Sequence, residues 1–232
     1  MLKVNHLNGF GAGDASLTAL TQVLSATSIA TTITAPNDIL AGDLIVLADL
    51  ASGTTGATSV VPTNFTLIAD RAVANSGRLV SSYKKADGTE SGASITGMAA
   101  GVFGRVAKAM YVFRGNIPVT TFTLLDVGQD SGSGNPAAQT VTASGGAPPL
   151  VVLGFYGTTS NGSRVDPRTF TVGGSPAKDA ELQSVSDGSV LDADVWIAFK
   201  TYSVGQVPAD AVVDMDDEGD ANYMESCYIA CS

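Results

Sequence analysis

The sequence predicts an all-β fold, an antiparallel β-sandwich of jelly-roll-like type with an extended N-terminal arm. Three observations lead there. Short apolar or alternating runs are punctuated throughout by Gly, Pro, Asn and Asp, the pattern of strands joined by turns. Gly, Ser and Thr number 26, 22 and 23 of 232 residues, and stretches of ten or more residues with helical period are scarce. A strand, loop and Pro-x-x-Phe-Thr arrangement also occurs twice, which raises the prospect of an internal duplication.

Taken in order, residues 1–27 read as an arm. Gly9, Gly11 and Gly13 are its flexible points, and Leu2, Val4, His6 and Phe10 are candidate interface residues for a neighbouring subunit. The best helical candidate is 15–24, weakened by its Thr content. A single sandwich domain is expected over 28–232. Its strand candidates are 28–34, 43–50, 65–70, 77–84, 106–113, 120–127, 138–143, 150–157, 193–202 and 222–231. In 106–113, Ala107, Ala109, Tyr111 and Phe113 share one face, while Lys108 and Arg114 take the other. In 195–200 both faces are partly apolar, as in a strand between two covered layers.

The duplication rests on spacing. Leu44 lies 18 residues before Pro62, which opens Pro-x-x-Phe65-Thr66; Leu150 lies 17 before Pro167, which opens Pro-x-x-Phe170-Thr171. Each unit then reaches a strand ending aromatic-Lys, at Tyr83-Lys84 and Phe199-Lys200. Pseudo-repeats over about 40–128 and 137–232, with 130–136 as the loop between them, are one reading. The other is that any β protein reuses this grammar.

Composition excludes several functions. A formal net charge of -10 opposes nucleic-acid binding, which needs a cationic stripe, and opposes docking on an anionic membrane. No apolar run approaches the roughly 20 residues of a membrane span, and the N-terminus lacks the apolar core of a signal peptide. Cys227 and Cys231 would share one strand face about 13 Å apart. A disulfide, whose Cα atoms lie within roughly 7 Å, is therefore not expected between them, and synthesis in a reducing cytoplasm is.

Catalytic motifs are scarce. His6 is the single histidine, and no Gly-x-Ser-x-Gly elbow or phosphate-cradling loop is present. Cys-x-x-x-Cys on a strand is a poor zinc pair. Glu90 is a candidate member of a glycosidase carboxylate pair, but nothing in the sequence nominates a partner. The chain is not expected to be an enzyme and no cofactor is expected. The exception is a weak calcium candidate, Asp214, Asp216, Glu218, Asp220 and Glu225, with oxygens at positions 1, 3, 5 and 12 and Gly219 at 6. Its flanks do not read as helices, so a solvated acidic turn competes with it.

Ala41-Gly42-Asp43-Leu44-Ile45-Val46, then Pro62-x-x-Phe65-Thr66, Tyr83-Lys84-Lys85-Ala86, Glu90 and Tyr111-Val112-Phe113-Arg114-Gly115 follow a shared order. In it the chain resembles a family of β-sandwich structural proteins of tailed bacteriophages, whose slots read Gly-Asp-Leu-Leu-Val, Pro-x-Gly-Trp-Thr, Tyr-Lys-x-Ala, Glu and Tyr-Arg-Gly. Asn64-Phe65 stands where Gly-Trp is usual. The resemblance implies a virion protein made in the host bacterial cytoplasm, of capsid decoration (cement) type. Its partners would be the major capsid protein or other virion proteins; self-association as a homo-oligomer, with a trimer favoured, is expected separately from the long weakly charged β faces, which closed symmetry would pair. A tail or fibre component binding a host surface glycan is the alternative. The residues have independent physical readings: Pro62 opens an edge where its missing N–H is harmless, Phe65 and Tyr83 fill core, and Gly42-Asp43 and Arg114-Gly115 form turns.

Overall fold

The structure, a computed structural model, describes residues 16–53, 58–101, 104–132, 136–142, 147–159, 168–176, 178–186, 192–215 and 221–232. All regular structure in them is β. The first half contributes β1 (Leu20–Ser28), β2 (Thr32–Thr34), β3 (Leu44–Ser52), β4 (Thr66–Val73), β5 (Gly77–Lys85), β6 (Ser94–Thr96) and β7 (Val106–Gly115). The second contributes β8 (Phe122–Gly132), β9 (Gln139–Val141), β10 (Leu150–Thr159), β11 (Arg168–Val172), β12 (Ala180–Ser186), β13 (Ala193–Tyr202), β14 (Ala211–Met215) and β15 (Ala221–Cys231).

Two five-stranded antiparallel sheets form the sandwich, ordered β1-β7-β3-β5-β4 and β12-β13-β10-β15-β8. Each sheet is built entirely from one half of the chain. The orders are the same if β1, β3, β4, β5 and β7 correspond to β8, β10, β12, β13 and β15. Small outer sheets follow suit, β2-β6 in one half and β9-β14 in the other, with β11 added to the second. Bulges also recur in step: β1 carries an extra residue opposite Phe113–Val112 of β7, and β8 carries one opposite Cys227–Ile229 of β15. The fold is thus a pseudo-symmetric stack of four layers: small sheet, large sheet, large sheet, small sheet.

Strand periodicity produces this stack. Side chains alternate across each strand, and the central strands are apolar on both faces. Leu44, Val46, Ala48 and Leu50 of β3 face inward, as do Val151, Leu153 and Phe155 of β10; they meet in the central core with a cluster of Tyr111, Phe113 and Phe199. The alternate residues Ile45 and Leu47 pack outward under β2-β6 with Ile33, Met110 and Val112. Leu150, Val152, Tyr156, Trp196, Met224 and Tyr228 pack outward under β9-β14-β11 with Phe170 and Val213. Sandwich edges are covered by one another: β1 runs beside β12, where Ser184 donates to the Ser28 carbonyl, and β4 runs beside β8, where Arg71 donates to the Gln129 carbonyl. These contacts cover part of each edge, the place where open sheets aggregate.

Several expectations are corrected. The arm ends before residue 20, because β1 pairs with β7 from Leu20↔Gly115 to Ser28↔Lys108 and Leu20 is buried. That also replaces the helix expected over 15–24. The β-branched Thr18, Thr21 and Val23 suit a pleated edge, and β7 supplies the partner that a lone segment lacks. The boundary between the halves lies in 116–121, not at 130–136, since β8 belongs to the second sheet. The repeat alignment shifts by one residue. Inward-facing Leu44 corresponds to Val151, not to outward-facing Leu150, because a one-residue slip exchanges faces. Phe65 precedes β4 and Phe170 sits on β11, a strand with no counterpart in the first half. Both nevertheless pack under an outer sheet. Pro167 lies outside the described residues, as do Leu2, Val4, His6, Phe10, Gly9, Gly11 and Gly13.

Candidate functional site

The residues that carried the resemblance gather at one end of the first large sheet, around two ion pairs. On β5, Tyr83 faces the central core, so Lys84 faces outward. Its Nζ lies 2.5 Å from Glu90 Oε1 and 3.7 Å from Asp87 Oδ2. Glu90, nearly buried, accepts the backbone N–H groups of Asp87 (3.2 Å) and Gly88 (3.1 Å). Gly88 takes φ +95°, a conformation that a side chain resists. Asp87 in turn accepts the Thr89 N–H and hydroxyl at 2.9 and 2.6 Å, and those bonds hold its carboxyl below the usual carboxylate range. Glu90 therefore closes a turn and neutralises a strand-end lysine.

Beside this pair lies a cleft of about 250 Å³ lined by Pro62, Thr63, Phe65, Thr89, Ser94 and Thr96, with Lys84 and Glu90 in its wall. Phe65, half-buried, packs on the apolar cluster under β2-β6 while lining the cleft together with the hydroxyl residues, and the ion pair is engaged with itself and the turn.

The second pair joins β3 to β7. Arg114 grips buried Asp43 with Nε and Nη2 at 2.8 and 2.7 Å, and its Nη2 also reaches the Asp38 carbonyl at 2.7 Å. Asp43 accepts the Leu40 N–H as well, at 2.8 Å. This bidentate geometry is the strong form of a charge-assisted bond. Gly42, at φ +90°, lets the turn pass Pro118 and Val119, which a Cβ would approach to 3.3 and 3.1 Å. A shallow groove runs past it, with cavities of about 210 and 450 Å³ that share Ala41, Gly42 and Pro118.

Of the calcium candidates, the structure describes Asp214 and Glu225, and it does not bring these two together. Asp214 lies on β14 in the outer sheet, between Val213 and Met215. Glu225 lies on the inward face of β15, on the other side of the second large sheet, against Ser81 with Asp70 and Arg71 nearby. Strand alternation sends Glu225 inward with Tyr223 and Cys227. Asp216, Glu218 and Asp220 lie outside the described residues. Among the described residues, no three His, Cys, Asp or Glu side chains converge as a metal-binding group. Cys227 and Cys231 are free and buried in the central core.

Two features escaped the sequence reading. Glu225 is fully buried, and that burial pushes its carboxyl up to about 8. Lys108, placed on the outward face by alternation, is not solvated: it is fully buried against Asp49. The latter had a legible signal, because Asp49 is the one charged residue of β3 and Lys108 the one charged residue of β7 before its end at Arg114.

No protein-family model, curated protein or solved structure matches the chain.

Proposed function

We propose that this chain is a virion structural protein of a tailed bacteriophage, of capsid decoration type, that works through subunit contacts and not catalysis. The observation that carries the reading is the use to which the resembling residues are put. Asp43 and Arg114, and Lys84 and Glu90, are engaged with one another and with loop backbone. They fix the shape of the loops at the sheet end and leave the chemistry of the cleft to hydroxyls and one aromatic ring. Support also comes from closed symmetry as the ordinary way to satisfy repeated contacts. The partners on this reading are copies of itself, as a trimer, and the major capsid protein.

Quantitative mass spectrometry of purified particles tests it. Hundreds of copies per virion are expected; a handful would place the chain in a tail or fibre instead. Removing residues 1–13 is expected to weaken retention on particles as salt is raised, and unchanged retention would deny the arm a role.

The cleft beside Phe65 favours the second reading, a tail or fibre component that binds a host surface glycan. An aromatic face rimmed by Thr63, Thr89, Ser94 and Thr96 is chemistry that suits a sugar ring. Glycan-array binding that is lost in Phe65→Ala would favour it.

A further inference from the structure

We propose that Lys108 and Asp49 become joined by an intramolecular isopeptide bond, an amide between Lys108 Nζ and Asp49 Cγ that staples β7 to β3. The two residues stand directly opposite each other in the ladder between these strands. Lys108 is wholly buried and Asp49 is 1% exposed. Lys108 Nζ meets Asp49 Oδ1, and both groups are held by one residue of the segment folded over them. The Met98 N–H donates to Asp49 Oδ2 at 2.6 Å, and the Met98 carbonyl accepts from Lys108 Nζ at 3.1 Å. Gly97 permits that close cover, since a Cβ there would lie 1.9 Å from Asp49 Oδ2 and 2.8 Å from Lys108 Nζ.

Pseudo-symmetry supplies an internal control. Aligning Tyr83-Lys84 with Phe199-Lys200 makes Asp49 and Lys108 correspond to Tyr156 and Met224, which also face each other across their ladder. The second half fills the same place with an uncharged pair in an apolar cluster, the Tyr156 hydroxyl donating to the Thr169 carbonyl. The architecture therefore does not require ions here. A buried ion pair is often no more stabilising than apolar residues of similar volume, because two charges must be desolvated. The first half places an amine and a carboxyl in contact at a site where the fold requires neither.

The chemistry balances without a co-reactant. Burial pushes the Lys108 ammonium down and the Asp49 carboxyl up, the directions that favour neutral amine and neutral acid. In the proposed step Asp49 Oδ1 takes a proton from Lys108 Nζ. The Nζ lone pair then adds to Cγ. The Met98 N–H stabilises the oxygen that gains charge at Oδ2, as a fixed backbone donor does for a tetrahedral intermediate. The Cγ–Oδ1 bond breaks, and Oδ1 leaves as water with two of the three protons first carried by Nζ. The third stays on the amide nitrogen. No electrons are exchanged. Fixed contact replaces a bimolecular encounter, and a dry site favours loss of water.

Intact-mass measurement and tryptic mapping of the full chain, purified and then denatured, test this directly. The chain is expected to weigh one water less than its sequence, to resist cleavage after Lys108, and to yield a branched peptide joining the Asp49 and Lys108 segments. Asp49→Asn is expected to give a product of the same mass by losing ammonia in place of water, whereas Lys108→Met restores the full sequence mass. A native chain at its full mass with ordinary cleavage after Lys108 overturns the proposal. That readout needs only the native protein, so a variant that fails to fold leaves the decision intact.

Discussion

At the scale of single residues, Glu225 carries the clearest pH dependence. Its carboxyl is enclosed between the large sheets, and burial raises it to about 8 from the ordinary 4.5. The native state thus holds a proton that the unfolded chain releases above about pH 4.5. Stability from this group is full below that value and falls as pH rises toward 8, by about 1.4 kcal/mol per pH unit. Beyond 8 both states are ionised and the loss is complete. Glu225→Gln keeps the shape of the neutral acid and removes the titration. Urea unfolding at pH 5 and pH 8 is expected to show the variant gaining on the native chain at the higher pH, on the order of several kcal/mol. Equal differences at both pH values would show that the carboxyl ionises without cost.

At the scale of elements, the fourth layer of the stack depends on an approach that glycine allows. Gly154 on β10 lies directly beneath the outer sheet, and a Cβ there would come within 2.6 Å of Val213 and 2.8 Å of Phe170. Gly154→Ala is expected to force β11 and β14 away from β10 and to destabilise the fold by about 1–3 kcal/mol, as overpacking does. Thermal or denaturant midpoints check it. The same sheet shows what the sequence could and could not reveal. The strand 193–202 was legible residue for residue, because its apolar run 195–199 is short, rich in β-branched and aromatic residues and flanked by turn signals, and Gly77–Lys85 nearly so. By contrast, β11, β12 and β14 were missed. They are short or half-exposed outer and edge strands whose side chains need not alternate cleanly, so pairing partners and not local pattern define them. The candidate site was legible only as residue identities. Asp43 and Arg114 lie 71 positions apart, and nothing local in either strand says that they meet.

At the scale of the molecule, the two halves share one core. The inward faces of β3 and β7 pack on those of β10, β13 and β15, and the aromatic cluster takes Tyr111 and Phe113 from one half and Phe199 from the other. Neither large sheet has another surface on which to bury that face. Calorimetry is therefore expected to show one cooperative transition for the whole chain. Two resolved transitions would mean that each half is stable with its inner face bared to water, against the usual cost of exposed apolar area. The duplication was half visible in the sequence: Tyr83-Lys84 and Phe199-Lys200 mark equivalent strand ends. The shared Pro-x-x-Phe-Thr string pointed instead to segments that the second half has diverted into an additional strand.

The connector at 116–121 has a consequence for how the chain is ordered. Asn116 holds the beginning of the first half, accepting the N–H groups of Thr18 and Ala19 and donating to the Ser16 carbonyl. A few residues on, the N–H groups of Thr120 and Thr121 both donate to the Ser232 carbonyl, at the close of β15. The start of one repeat and the finish of the other are thus both tied to the link between them. Which repeat comes first is then immaterial to the packing. A circularly permuted gene that joined 232 to 16 by a short bridge, and opened the backbone between 116 and 121, would encode the same four layers in reversed order.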